Sequence, residues 1–257
     1  MSNSQPNILI ITTDQQRTDS LSCYGSRFNA TPNIDRLASE GVRLDRAYCT
    51  NPVCTPSRVS LFTGKQVSRH GAWNVGVNCS PNETLISHLL SDAGYRTHYI
   101  GKAHFEAFGA AAQQSRESRN DWAAGYGDWC GPYFGFERVE LALGHVTYGM
   151  SGHYGEWVRN QAQNDQVSLW ESAEDLCEVE FVGNAYDWSL PLEYHNSVWT
   201  ADRTVAFLEQ HDRVQPFLLA VGFQDPHHPH AVPVDFADRV DPSTVPLPDY
   251  LPGELDD

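Results

Sequence analysis

The chain has 257 residues, and its 17 Lys and Arg against 33 Asp and Glu give a formal net charge of −16 at pH 7. This acidic balance argues against binding to nucleic-acid phosphates, which requires clustered positive charge. Hydrophobic residues make up 40% and charged residues 19% of the chain, which excludes an intrinsically disordered protein and indicates a globular one.

The first predicted element is a strand at residues 7–13, a continuous apolar run rich in isoleucine. Such a run predicts a strand buried on both faces. It ends at Asp14, and open α/β sheets place their chemistry at the carboxyl ends of strands, so Asp14 is a candidate site residue. A helix is predicted to open at Thr31-Pro32 and stop at Gly41, followed by a strand at residues 42–47.

Further elements alternate along the chain in the same way. Helices are predicted at residues 57–62, 84–93 and 198–211, and strands at residues 95–100 and 217–223. The fold class that follows is α/β, with a mostly parallel sheet sandwiched by helices. Residues 103–197 have no sustained hydrophobic period of two residues, typical of strands, or of about 3.6 residues, typical of helices. We therefore predict a loop-rich region around a substrate site.

The segment Cys54-Thr55-Pro56-Ser57-Arg58 is the most informative one for chemistry. A thiol in the first turn of a helix meets unpaired backbone N–H groups and the positive end of the helix dipole, which suits an anion and an activated side chain. Arg58 projects from the same side one turn later. Alternatively, Cys54 is a buried thiol and Arg58 a surface ion-pair partner.

The string C-T-P-S-R, with Thr63-Gly64 downstream, resembles the C-x-P-S-R signature of the type I sulfatases of the alkaline phosphatase superfamily. Residues 94–97 (GYRT) leading to residues 101–104 (GKAH) match a second family signature, and residues 225–229 (DPHHP) follow in the family's order. The resemblance implies an alkaline-phosphatase-like fold. It further implies that residues 1–257 are the N-terminal part of a sulfatase catalytic domain, truncated at the C-terminus, with residues 103–197 as a substrate-site insertion.

The same resemblance implies a function, the hydrolysis of a sulfuric ester to sulfate and an alcohol. Cys54 would be converted to formylglycine by a maturation enzyme, and one hydroxyl of the hydrated aldehyde would attack sulfur while the other later expels sulfate. A divalent metal would be held by Asp14, Gln15 and the modified Cys54. Arg58 and Lys102 would supply positive charge beside the sulfate. His104 and His227 would transfer protons.

Two departures from the family pattern leave alternatives open. Many sulfatases have two adjacent aspartates where this chain has Asp14-Gln15; an amide oxygen can still bind a hard cation, but the same pairing occurs in relatives that hydrolyse phosphonate monoesters and phosphodiesters. We therefore expect Ca²⁺ with Mn²⁺ as the alternative. The family's later metal ligands have no counterpart before Asp257. Besides a sulfuric ester hydrolase and a phosphonate monoester or phosphodiester hydrolase, the third hypothesis is therefore a non-catalytic fragment that lacks half the metal site.

The remaining expectations concern location, partners and supporting histidines. The N-terminus has no basic segment and no apolar run long enough for a signal peptide or a membrane span, so we expect a cytoplasmic chain, with a periplasmic one as the alternative. The expected partners are a small sulfate ester and the maturation enzyme, without nucleic acid or membrane; a homo-oligomer stays open. His70 is a candidate supporting residue, and His145 and His153 either line the substrate pocket or pack in loops.

Overall fold

The computed structural model describes residues 5–109, 115–119, 122, 128–145, 150–167, 169, 185–188, 190–237 and 239–246. Its strands are β1 Ile8–Thr12, β2 Arg96–Gly101, β3 Arg138–Leu143, β4 Ala185–Trp188, β5 Phe217–Gly222 and β6 His230–Pro233. Its helices are α1 Pro32–Glu40, α2 Cys54–Thr63, α3 Val67–His70, α4 Ile86–Asp92, α5 Gly152–Asp165, α6 Asn196–Gln210 and α7 Val234–Ala237.

The main sheet has four strands in the order β1-β5-β2-β3, and every neighbouring pair is parallel. A second, two-stranded sheet pairs β4 with β6. Because all four main strands run the same way, their carboxyl ends lie along one edge of the sheet. The prediction of an α/β fold with a parallel sheet is confirmed.

Each face of the main sheet carries its own hydrophobic core, because successive side chains on a strand point to opposite faces. On one face Ile100, Leu219 and Val221 pack with Tyr154 of α5 and Trp199 of α6. On the other face the strand residues meet α2 and the segment before α4; the buried members there are Tyr99, Leu218, Ala220, Val59, Phe62 and Leu85. Helices on both faces make a three-layer fold.

Strand β1 is less buried than the sequence predicted. It pairs only with β5, and Leu9 and Ile11 on one of its faces are 44% and 54% exposed. Ile8 and Ile10 on the other face pack against the core shared with α2. The prediction of a strand buried on both faces is therefore wrong within the described residues, because β1 lies at an edge of this sheet with its second face uncovered.

Residues 42–47 form no strand, contrary to prediction. Val42 and Leu44 are 85% and 65% exposed, and Arg43 pairs with Asp45 at 2.7 Å and with the carbonyl oxygen of Cys23. The alternation of Val42 and Leu44 suits a strand, but a strand also needs a hydrogen-bonded neighbour, and the sheet offers none to this segment.

The region 103–197 contains more regular structure than predicted. Strand β3 completes the main sheet beside β2, and helix α5 packs on it. Loops occupy other described parts of the region. None of the helices in the described ranges has the length and apolarity that a bilayer crossing requires.

A charged cluster joins the start of β3 to helix α6. Glu140 accepts a hydrogen bond from Arg203 and has its second oxygen 3.1 Å from Nε2 of His98. Burial alone would raise the pKa of Glu140, but His98 and Arg203 outweigh it and lower the pKa to about 2 from its usual 4.5. The ion pair therefore favours the folded state whenever Glu140 is ionised.

Glu140→Gln is expected to lower the free energy of unfolding by about 1–3 kcal/mol at pH 7. A lowered folded-state pKa stabilises the fold above the unfolded-state pKa, so the difference from wild type should shrink as the pH falls from about 4.5 towards about 2. Urea unfolding at pH 7 and pH 3 measures this difference in unfolding free energy. Glu137→Gln is the control, since Glu137 is an exposed neighbour. An equal difference at both pH values would contradict the account.

Candidate active site

The candidate site lies at the carboxyl edge of the main sheet, where four strand ends bring polar side chains together. Asp14 follows β1, Lys102 follows β2, His145 follows β3 and His227 follows β5. This is the edge at which parallel α/β sheets bind ligands. The sequence assigned Asp14, Lys102 and His227 to one site, and the structure places them at one edge.

Asp14 is at the centre of the site and is only 6% exposed. Its Oδ2 atom contacts Nζ of Lys102, lies 3.4 Å from Nε2 of His145 and lies 3.7 Å from Nη2 of Arg58. Lys102 Nζ also contacts Nε2 of His145. A buried carboxylate thus faces two cations and one imidazole, so the site holds excess positive charge that an anionic ligand can neutralise.

The pKa shifts follow from this arrangement. Burial raises the pKa of Asp14, but the His145 contact and the charges of Lys102 and Arg58 hold it well below its usual range. Burial lowers the pKa of Lys102 against the opposing effect of Asp14. Burial also lowers the pKa of His145 to about 4, which leaves the imidazole neutral at pH 7 and able to act as a metal ligand.

The backbone of Lys102 is fixed from two sides. Nη1 of Arg58 and the hydroxyl of Tyr99 each donate a hydrogen bond to the Lys102 carbonyl oxygen at 2.7 Å. The preceding residue, Gly101, has φ +91° and lies very close to the neighbouring strand β5. A Cβ added there would lie 2.1 Å from the carbonyl oxygen of Gly222. Only glycine suits that position, and the tight packing sets where the lysine side chain begins.

Helix α2 positions Cys54 and Arg58. It begins at Cys54, three residues before the predicted start, with Pro56 in its first turn. Because residues four apart share one face of a helix, Cys54 lies on the face that carries Arg58 towards Asp14. Cys54 is partly buried and close enough to Lys102 to act electrostatically on its pKa.

His70 contacts helix α2 through Ser60. The Ala72 N–H donates to Nδ1 of His70 at 3.1 Å, so Nε2 carries the proton and faces Oγ of Ser60 in α2 at 2.9 Å. Thr50 donates to the same Ser60 oxygen at 2.6 Å. The sequence raised His70 as a supporting residue, and the structure places it against α2 at a distance from the Asp14 cluster.

His104 is held in an unusual conformation two residues after Lys102. Its φ is +55° and its ring is buried, with no hydrogen-bond partner for either nitrogen among the described residues. Burial, together with the charges of Lys102 and Arg58, lowers the pKa of His104 well below its ordinary value. A left-handed histidine costs backbone energy, so neighbouring contacts must hold it.

Glu117 supplies those contacts. Its carboxylate accepts the N–H groups of His104 and Phe105 at 2.7 Å each and that of Glu106 at 3.2 Å. The Tyr133 hydroxyl donates to it at 2.6 Å. Sequence reasoning did not find Glu117, because no local pattern indicates which carboxylate folds back over the His104 segment.

Glu117→Ala is expected to free this segment, because three backbone N–H groups lose their acceptor. We expect a loss of about 3 kcal/mol in unfolding free energy and faster hydrogen exchange at His104 and Phe105. Glu83→Ala, which removes an exposed ion pair with Lys65, is the control. Unchanged exchange at His104 would contradict the positioning role.

The histidines that follow β5 lie beside His145. The rings of His227 and His145 stack with centroids 3.6 Å apart, and Nδ1 of His227 contacts the carbonyl oxygen of His228. The side chain of Gln15 is exposed, and its Oε1 lies 3.2 Å from Nδ1 of His228. Gln15, predicted to lie beside the metal with Asp14, therefore turns towards His228.

His145 and His153 separate clearly in the structure, although the sequence could not distinguish them. His145 belongs to the Asp14 cluster. His153 instead accepts the Leu141 N–H at 2.9 Å on Nδ1 and faces the carbonyl oxygen of Trp129 at 2.8 Å on Nε2. His153 is thus a structural residue behind β3.

A cavity of about 360 Å³ opens next to these residues. Lys102, His104, His145 and Glu117 form its polar wall, and Phe108 and Leu143 contribute apolar surface. The Glu117 carboxylate is already occupied by backbone N–H groups and by the Tyr133 hydroxyl. A ligand with an anionic head and an apolar body fits this division of the walls.

The sulfatase family model matches residues 6–249 of the chain. The chain belongs to the sulfatase family. It is 32% identical over 243 residues to YidJ of Escherichia coli, described as an uncharacterized sulfatase, covering 91% of this chain and 41% of that relative. It is 28% identical over 254 residues to an arylsulfatase of Clostridium perfringens, covering 95% of this chain and 48% of that relative.

The fold has solved counterparts. A phosphonate monoester hydrolase from Silicibacter pomeroyi matches with a TM-score of 0.71 and 21% identity, over 97% of this chain and 47% of that one. At this identity the likeness concerns the fold alone. The chain therefore spans somewhat under half the length of the sulfatase relatives it matches.

Proposed function

We propose that the complete protein hydrolyses sulfuric esters, with Cys54 as the source of a formylglycine nucleophile. The observation that carries the proposal is the meeting of Asp14, Lys102 and Arg58 beside the start of α2, where Cys54 opens the C-T-P-S-R string. The overall reaction consumes one water and gives sulfate and an alcohol.

The charged residues account for most of the proposed catalysis. Lys102 and Arg58 are buried and pre-positioned, so they stabilise negative charge that builds up on sulfate oxygens without reorganising at the moment of reaction. Oxidation of Cys54 to an aldehyde, by a formylglycine-generating enzyme, would supply a diol hydroxyl as the attacking group when hydrated. A nucleophile beside two fixed cations attacks an anionic ester more easily because the charge repulsion is reduced.

His104 and His227 are the proposed proton-transfer groups. Each has an imidazole near Lys102, and the pKa of each is lowered by burial, so both are neutral and able to accept a proton at pH 7. His104 lines the cavity that would hold the ester, and neither of its ring nitrogens has a hydrogen-bond partner among the described residues. We assign His227 to accept the proton of the attacking hydroxyl. His104 would donate its ring N–H proton to the leaving oxygen while its other ring nitrogen takes a proton from water.

A divalent metal fits the Asp14 end of the site. Asp14, His145 and His227 each place one ligating atom within 4.8 Å of the others. Asp14 and His145, which both contact the Lys102 ammonium, would hold the ion, and His227 would stay free to accept a proton. A bound divalent ion lowers the pKa of a coordinated hydroxyl and neutralises oxyanion charge. One carboxylate with one imidazole favours Mn²⁺ over the Ca²⁺ expected from sequence, because Ca²⁺ takes oxygen ligands.

The substrate is proposed to be a small ester whose alcohol has an apolar part. The cavity beside Lys102 offers Phe108 and Leu143 to such a group, next to the cations that would hold the sulfate. A phosphonate monoester or phosphodiester is the second candidate substrate. It is favoured by Gln15, because many sulfatases have a second aspartate at that position.

Competing substrates separate these two functions. The complete protein, produced together with a formylglycine-generating enzyme, is assayed with one aryl alcohol as its sulfate and as its phosphonate monoester. We expect kcat/KM for the sulfate to be at least ten times that for the phosphonate monoester. A preference for the phosphonate would establish the second candidate, and no turnover of either would support the non-catalytic alternative.

A further inference from the structure

A second concave site lies at the opposite edge of the main sheet from Asp14. It is a cleft of about 230 Å³. Arg96 begins β2, Arg138 begins β3, and Arg203 reaches the same cleft from α6. Six-residue strands separate this edge from the candidate active site by roughly 15–20 Å, so the two sites are distinct.

The cleft concentrates positive charge in an acidic protein. Three arginines face it, while the chain as a whole carries a net charge of −16. Among the residues that the structure describes, Glu140 contributes the one carboxylate that lines the cleft, and it is already bound to Arg203. Asp212 lies near enough to Arg96 to have its pKa lowered slightly by it, but no ion pair joins them. Within the described part of the chain, the guanidinium charges of Arg96 and Arg138 therefore have no ion-pair partner.

Two of the three arginines are held in place by neighbouring side chains, and Arg138 is exposed at the start of β3. Arg96 stacks on the ring of Phe207 with 5.3 Å between its guanidinium carbon and the ring centroid, which leaves the N–H edge of the guanidinium available. Arg138 lies beside His98 in the parallel register of β2 and β3. Arg203 is fixed by Glu140.

A buried imidazole completes the cleft. His98 is 3% exposed, its ring packs edge-on against Phe207 with centroids 5.0 Å apart, and its Nδ1 has no hydrogen-bond partner among the described residues. His98 lines the cleft beside guanidinium groups that lack a compensating charge, which is costly, and one tetrahedral oxyanion would relieve that cost.

We propose that this cleft, formed by Arg96, Arg138, Arg203 and His98, binds a small divalent oxyanion of the sulfate or phosphate type. Planar guanidinium groups pair with such oxygens through two parallel hydrogen bonds. Glu140 limits the affinity, because its carboxylate competes with the ligand for Arg203. The cleft is a binding site without a nucleophile, and it is independent of hydrolysis at the other edge.

The test is calorimetric titration of the complete protein with sodium sulfate, sodium phosphate and, as the blank, sodium chloride at matched ionic strength. Arg138→Gln and Arg96→Gln are each expected to weaken one oxyanion-binding event at least tenfold. Glu140→Gln is expected to tighten it at least threefold. Arg36→Gln, which changes an exposed arginine on α1, is the control and is expected to shift the affinity less than twofold.

Two further readouts locate the event. Arg138→Gln should leave the melting temperature within a few degrees of wild type and kcat/KM within twofold, since Arg138 is exposed and remote from Asp14. Crystals soaked in selenate should show an anomalous peak within hydrogen-bond distance of Arg96 and Arg138. Binding of only one of sulfate and phosphate identifies the natural ligand; unchanged binding in both arginine variants, or a peak only beside Lys102, overturns the proposal.

Discussion

Replacing Cys54 with alanine is expected to abolish sulfate-ester hydrolysis while leaving the fold unchanged. Loss of an essential nucleophile should cost at least about three orders of magnitude in kcat, or about 4 kcal/mol of transition-state stabilisation. Cys54 is at the first position of α2 and only partly buried, so its side chain contributes little to the core. The measurement is kcat on an aryl sulfate together with the melting temperature.

Cys49→Ala is the matched control for this variant. Cys49 is an exposed free thiol a few residues earlier in the same segment, and its replacement should change kcat less than twofold. A loss of activity below tenfold in Cys54→Ala, with an unchanged melting temperature, would contradict the assignment of the nucleophile.

Asp14→Asn is the second change with a large expected effect. Asparagine keeps the volume but removes the charge that faces Lys102 and Arg58, and a buried cation left unpaired costs about 3–5 kcal/mol. In the metal-free protein the unfolding free energy should fall by that order. Affinity for Mn²⁺ should fall by about two orders of magnitude, because the one anionic ligand that the described residues supply is lost.

Calorimetric titration with Mn²⁺ and Ca²⁺, and urea unfolding, measure the two effects. Asp19→Asn is the control, because Asp19 pairs with Arg17 on the exposed surface nearby, where ion pairs contribute little. Tighter binding of Ca²⁺ than Mn²⁺ by wild type would contradict the proposed imidazole ligand, His145. Unchanged metal affinity in Asp14→Asn would remove Asp14 from the metal site.

Local patterns predicted the strands that build the site edge. The runs that became β1, β2 and β5 are short, apolar and bounded by turn residues, so length and composition were enough. The run that became β3 contains Glu140, which interrupts its apolar pattern. Glu140 is tolerated there because Arg203 and His98, distant in sequence, pair with it in space.

Missing β3 had a consequence for the site. His145 follows that strand, so its approach to Asp14 depends on a strand pairing that the sequence pattern did not reveal. Lys102 and Arg58 were found because they lie in short motifs, and the structure brings both to Asp14. Val42 and Leu44 show the opposite case, a strand-like alternation with no neighbouring strand to pair with.

The mass of the tryptic peptide from Ala47 to Arg58 tests the central claim most directly. This peptide contains Cys54 and Cys49, and fragmentation distinguishes them. Conversion to formylglycine removes one sulfur and two hydrogens and adds one oxygen. Across preparations made with different amounts of maturation enzyme, we predict that the change occurs at Cys54 alone and that specific activity on an aryl sulfate rises in proportion to the converted fraction. Full activity in a preparation whose Cys54 is entirely unconverted would contradict the account.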